Sequence, residues 1–74
     1  MTGPDLVPVE SSAVEAVGYD AEGHELWIRY TGGHVYVYVY AEVPEAVYRK
    51  LLDADSKGTF VNREIKPTYG FRRV

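Results

Sequence analysis

Residues 34–40, His34-Val35-Tyr36-Val37-Tyr38-Val39-Tyr40, alternate valine and tyrosine for three full periods. Such strict alternation is the signature of a β-strand, in which successive side chains point to opposite faces. A helix would scatter the two residue types around its circumference and restrict the β-branched valines. The strand therefore carries a tyrosine face and a valine face. Which of the two is buried decides what the domain displays.

The flanking segments predict partners for it. Val14–Tyr19, preceded by Ser11 and Ser12, reads as a first strand. Asp20-Ala21-Glu22-Gly23 has the chemistry of a turn, with an aspartate able to accept from the backbone ahead and a glycine free to take positive φ. Glu25–Tyr30 places Leu26, Ile28 and Tyr30 on one side and Trp27 and Arg29 on the other. Thr31-Gly32-Gly33 then turns the chain into the tyrosine strand, so the two pair antiparallel. A two-residue Gly32-Gly33 loop would group Leu26, Ile28 and Tyr30 with the valines and leave the tyrosines outside. A three-residue Thr31-Gly32-Gly33 loop with a bulge at Gly33 would group them with Tyr36 and Tyr38, turning Trp27 and the valines outward. The residues by themselves admit both registers.

Val43-Pro44 opens a helix, proline at its first position having no N–H to waste. Pro44, Val47, Tyr48, Leu51 and Leu52 share one arc of roughly 140°, with Glu45, Arg49 and Asp53 opposite. Ser56 is a suitable N-cap for a second helix from about Lys57 to Ile65, with Val61 and Ile65 on one face and Thr59, Arg63 and Lys66 roughly opposite. Pro67 ends it, and residues 68–74 return as a short edge strand or an ordered tail. The fold class is thus α+β: a three-stranded antiparallel meander followed by two helices on one face, with a short C-terminal strand as an option. Residues 1–10, with Pro4 and Pro8 and no periodic pattern, form an extended and partly mobile leader, and residues 11–74 form a single domain.

Composition bounds the function. A chain of 74 residues is one domain, and 46% hydrophobic with 14% aromatic residues supplies a packed core. Cysteine is absent, which removes disulfides and thiolate chemistry and suits a reducing compartment. No apolar run approaches the roughly 20 residues of a membrane span, so a cytoplasmic protein without a membrane partner is expected. The charge is uneven: residues 1–55 hold three basic residues against ten acidic ones, and residues 56–74 hold five against one. One end is suited to an anionic partner; the plain alternative is a basic tail balancing an acidic body.

Several residues in order carry a family resemblance: Ser11-Ser12, Gly18-Tyr19-Asp20, Tyr36-x-Tyr38, Val43-Pro44, Tyr48-x-x-Leu51, Ser56-x-Gly58, Phe60-x-Asn62, Ile65-Lys66 and Tyr69. Together they resemble the KTSC domain, a small module named for its place at the C-terminus of some lysyl-tRNA synthetases and also found as a free-standing bacterial protein. The resemblance implies RNA, either tRNA or a single strand, as a ligand. It also sets the central tyrosine pair on Tyr36 and Tyr38 and favours the bulged register. In that register both tyrosines pack under the helices and Tyr40 lies nearer the rim.

Two candidate sites follow. The first is a phosphate surface made of the helix start at Ser56, Lys57 and Gly58 with Arg63, Lys66, Arg72 and Arg73; ordinary N-capping among solvated basic residues is its bland counterpart. Aromatic stacking of unpaired bases on Trp27, Tyr36, Tyr38 or Tyr40 would add to it, against core packing as the simpler role. The second is an exposed apolar strip of Trp27, Val35, Val37 and Val39, suited to a homodimer or another protein partner. Catalysis has little to stand on. His24 and His34 lack spaced co-ligands, Ser11 and Ser12 lack a neighbouring base and acid, and no P-loop, dinucleotide fingerprint or paired-carboxylate motif is present. The chain reads as a small non-catalytic binding module without cofactor or metal.

Overall fold

The computed structural model describes residues 3–32 and 36–74. His34, Val35 and the predicted bulge at Gly33 lie outside them. The elements are β1 (Val7–Pro8), β2 (Val14–Asp20), β3 (Glu25–Tyr30), β4 (Val37–Tyr40), α1 (Glu45–Asp53), α2 (Lys57–Phe60), a π-helical turn (Val61–Ile65) and β5 (Phe71–Arg73). The strands make one antiparallel sheet in the order β1-β2-β3-β4-β5.

The central meander forms as its turns require. Asp20 Oδ1 accepts from the backbone N–H groups of Glu22 and Gly23 at 3.0 and 3.2 Å, and His24 takes the left-handed φ of 54° that closes the hairpin. Beyond the second turn Leu26 pairs with Tyr40 and Ile28 with Tyr38, so the tyrosines share the face of Leu26 and Ile28. This is the face grouping of the bulged alternative but not its pairing, since a three-residue loop would set Ile28 opposite Tyr36 and Leu26 opposite Tyr38. Val14, Val17, Leu26, Ile28 and Tyr40 form the sheet's share of the core, and Val43, Leu51, Val61 and Ile65 cover them from the helical side. Tyr19 donates to the Val43 carbonyl and stacks on Tyr48, with ring centroids 5.4 Å apart, fixing α1 against β2.

Three features depart from the expected fold. The sheet has five strands where three with a C-terminal option were expected, because the leader pairs with β2 through Val7 and Pro8 and β5 pairs with β4. The second helix changes pitch at Val61: the Lys66 N–H bonds the Val61 carbonyl at 2.9 Å, a five-residue span in place of four. Finally, the outer face is covered. Gly3 lies so close to the Trp27 ring that a Cβ there would stand 2.3 Å from it, and a Cβ on Gly18 would meet the Asp5 carbonyl and Leu6 at 2.8 Å. Residues 3–6 thus lie across the face on which an exposed apolar strip was expected. Val39 is 0% exposed and Trp27 and Val37 are half-buried.

Candidate functional site

The alternation that defines β4 brings Tyr38 and Tyr40 onto the inner face beside Tyr30, and β5 adds Phe71 and Arg73 along the same edge. Tyr40 is paired with Phe71 and Tyr38 with Arg73. The helical layer covers the far end of β4, from which the chain runs through Val43 into α1, and leaves the near end open. This reverses the expected order: Tyr40, assigned to the rim, is 1% exposed, whereas Tyr36 is 43% exposed. The result is an open cleft of about 810 Å³ lined by Tyr30, Tyr36, Tyr38, Tyr40, Lys66, Phe71 and Arg73, with Ala13, Thr31 and Gly32 at its edge.

The rings in it hold one another. Tyr30 meets Tyr38 edge-on at 5.3 Å, and Phe71 packs on Tyr38 at 5.2 Å and on Tyr40 at 5.6 Å between centroids. At the floor the Tyr30 and Tyr40 hydroxyls are 2.7 Å apart. One O–H spans the pair and the other is left to donate. Burial above all, then the bond to Tyr40, pushes the Tyr30 hydroxyl's pKa far up, and burial also raises that of Tyr40. The floor is therefore polar and neutral at physiological pH.

Two cations stand on these rings. Lys66 Nζ lies 5.1 Å from the Tyr30 centroid, and the Arg73 guanidinium carbon lies 4.4 Å from the Tyr36 centroid. The π-helical turn explains Lys66. Its N–H bonds the carbonyl of buried Val61, so Lys66 sits one widened turn above a core residue, not on the opposite side as an α-helix would put it. Arg73 follows Phe71 by two residues, which puts both on one face of β5.

The other predicted phosphate ligands are dispersed. Ser56 caps its helix, accepting from the Thr59 N–H at 3.2 Å. Lys57 Nζ donates to the Leu52 and Ala54 carbonyls at 3.0 and 2.8 Å, closing the end of α1. Gly58 meets Ala13 so closely that a Cβ would stand 2.9 Å away, which accounts for glycine there by helix–strand packing. Arg63 borders a separate shallow depression with Asp55, Ser56 and Glu64. Arg72 lies on the outer face, bonded to Glu25 at 2.8 Å, and its guanidinium draws the Glu25 carboxyl below the usual range. Of the seven residues, Lys66 and Arg73 converge on the cleft. Of the predicted partner strip, Val39 is buried, Val37 and Trp27 are half-buried and Val35 lies outside the described residues. Tyr30 and Phe71 are cleft residues that the sequence reading did not assign to a site. The i,i+2 spacing of Phe71 and Arg73 was the available signal.

Among the described residues no group of three or more His, Asp or Glu is placed to hold a metal, and no helix is long and apolar enough to cross a membrane. Residues 10–69 match the model of the KTSC domain. The chain belongs to the KTSC domain family. A protein of Tsukamurella paurometabola is 52% identical to this KTSC domain over 64 residues, covering 86% of this chain and 92% of its own. An uncharacterized protein of Stutzerimonas stutzeri is 36% identical over 63 residues, covering 85% and 86%. The crystal structure of a KTSC domain protein from Yersinia pestis is similar with a TM-score of 0.90 at 30% identity, covering 97% of this chain and 99% of that one. The five-stranded α+β arrangement is thus a known KTSC architecture.

Proposed function

We propose that this KTSC domain is a small non-catalytic module of the cytoplasm that binds unpaired RNA, and that the tyrosine cleft is its binding surface. The observation that carries the reading is the placement of Lys66 and Arg73 on the Tyr30 and Tyr36 rings. Aromatic faces with cations beside them suit a base and its phosphate together, and stacking contributes about 1 to 3 kcal/mol per base. The phosphate surface drawn from the sequence is reduced here to its two members at the cleft. The outer face gives no comparable support to a homodimer, since residues 3–6 lie over it and Val39 is buried.

Fluorescence anisotropy of a labelled single-stranded RNA and of a tRNA, at two salt concentrations, tests this. Wild type should bind the single strand more weakly as salt rises, and a Lys66→Ala/Arg73→Ala double variant should bind at least tenfold more weakly, the loss expected of about 1.4 kcal/mol. An Arg63→Ala/Arg72→Ala variant should bind like wild type. Equal binding by all three proteins, or none by wild type at low salt, rejects the cleft as an RNA site.

A further inference from the structure

We infer that the free edge of β5 takes an extended acidic segment of another protein as a sixth strand of the sheet. This goes beyond the RNA reading and does not rest on it, since the recognition is by backbone groups at the rim of the sheet and not by the cleft.

Strand β5 ends the sheet on one side, and all three of its residues are exposed. Val37 and Val74 exchange both backbone hydrogen bonds, at 3.3 and 2.8 Å, and the Ala41 N–H bonds the Gly70 carbonyl at 3.0 Å. Bonded and unbonded pairs alternate along an antiparallel ladder. With Arg73 opposite Tyr38, Arg72 opposite Val39 and Phe71 opposite Tyr40, it is therefore Arg72 whose backbone groups face β4. Phe71 and Arg73 turn theirs outward, where among the described residues no strand pairs with them. Two donors and two acceptors at alternate positions are what an added strand bonds to. The other edge of the sheet is closed to such pairing: β1 has two residues, and one of them, Pro8, has no N–H to give.

Charge selects the occupant. An incoming antiparallel strand sets one residue opposite Arg73, the next opposite Arg72 and the third opposite Phe71. The first and third lie on the inner face with Arg73 and Phe71. There Lys66 and Arg73 stand on aromatic rings, and among the described residues neither has a carboxylate partner. An acid followed two positions later by an apolar residue fits this edge. The acid meets the Arg73 guanidinium, and the apolar side chain covers Phe71, which is 59% exposed. A second copy fits poorly, because two β5 edges paired antiparallel through the same outward groups would place Arg72 directly against its counterpart.

Amide hydrogen exchange followed by NMR, with a short acetylated threonine-rich peptide carrying a glutamate and, two positions later, a valine, tests the inference. At saturating peptide the Phe71 and Arg73 amides should exchange about tenfold more slowly, whereas those of Arg72 and Val74, already bonded to β4, should not change. N-methylation of the glutamate or of the valine, whose N–H groups face β5, should weaken binding about tenfold. N-methylation of the residue between them, whose N–H points away, should change it by less than about twofold. Lysine in place of the glutamate should weaken binding by roughly threefold. Absence of peptide binding, or equal loss from all three methylated peptides, overturns the edge site. A lysine peptide that binds as well as the glutamate one overturns the acidic partner. Slowing of the same two amides without peptide, increasing with protein concentration, gives the edge to a second copy and overturns the inference. None of these outcomes decides RNA binding at the cleft, which is read from its own titration.

Discussion

Two phenol hydroxyls facing each other in a partly closed site place Tyr30 and Tyr40 under one constraint: neither ionises easily, because burial strips a phenolate there of water. The Tyr30 pKa in the folded protein stands above its unfolded value of about 10. A group shifted in that sense contributes its stability fully below the unfolded pKa and loses it as pH rises beyond. Urea unfolding at a series of pH values should therefore show stability falling above about pH 10, and the fall should be shallower for Tyr30→Phe. Parallel curves for the two proteins would show that Tyr30 does not carry the effect. Glu25 works in the opposite sense. The Arg72 bond holds its pKa low, so that contribution is present above the ordinary carboxylate pKa and fades as pH falls through the lowered one. At this scale the sequence was informative about identity and less so about exposure. Tyr36, Tyr38 and Tyr40 stand out by alternation alone, but nothing in three equivalent Val-Tyr steps distinguishes the buried Tyr40 from the exposed Tyr36.

Among the elements, those with a period were legible and those made by context were not. Strands β2, β3 and β4, helix α1 and the capped start of α2 follow from alternation, turn residues and an amphipathic arc. The strand β1 has two residues, one of them proline, and no periodicity to read; it exists because Leu6 and its neighbours find Gly18 and Trp27 bare. The π-helical turn was equally hidden, since Val61 and Ile65 can face a core in either pitch. The close passage of the leader over Trp27 has a measurable effect. Gly3→Val would drive a side chain into the ring, lifting residues 3–6 off the outer face. We expect a red shift of Trp27 emission and a loss of about 1.5 kcal/mol, the worth of covering one large apolar side chain, in urea unfolding. Unchanged emission would mean that the leader does not shield the ring in solution.

For the molecule as a whole, the distribution of charge matters more than its sum. The last quarter of the chain holds five cations, but the fold sends Arg72 to the outer face, Lys57 to the end of α1 and Arg63 to another depression. If the cleft alone meets the ligand and its two cations share one phosphate, the logarithm of the RNA binding constant should fall with the logarithm of salt with a slope of about −0.7, the value for one phosphate on a single strand. Engagement of all five cations would give about −3.5. Binding isotherms over a series of salt concentrations separate the two, and the steeper slope would restore the wider surface read from the sequence. The widened turn at Val61–Ile65 also bears on how such a chain can change in descent. Loss of one residue there would let four-residue hydrogen bonding resume between the same two ends, with the Lys66 N–H still on the Val61 carbonyl and the direction of the chain beyond little changed. Lys66 would keep its place over the Tyr30 ring, and β5 its approach to β4. A regular helix ties its faces to a fixed count of residues, whereas here one residue is carried as slack, so a lineage that keeps the cleft can drop a letter between Val61 and Ile65 that it could not drop elsewhere in the helix.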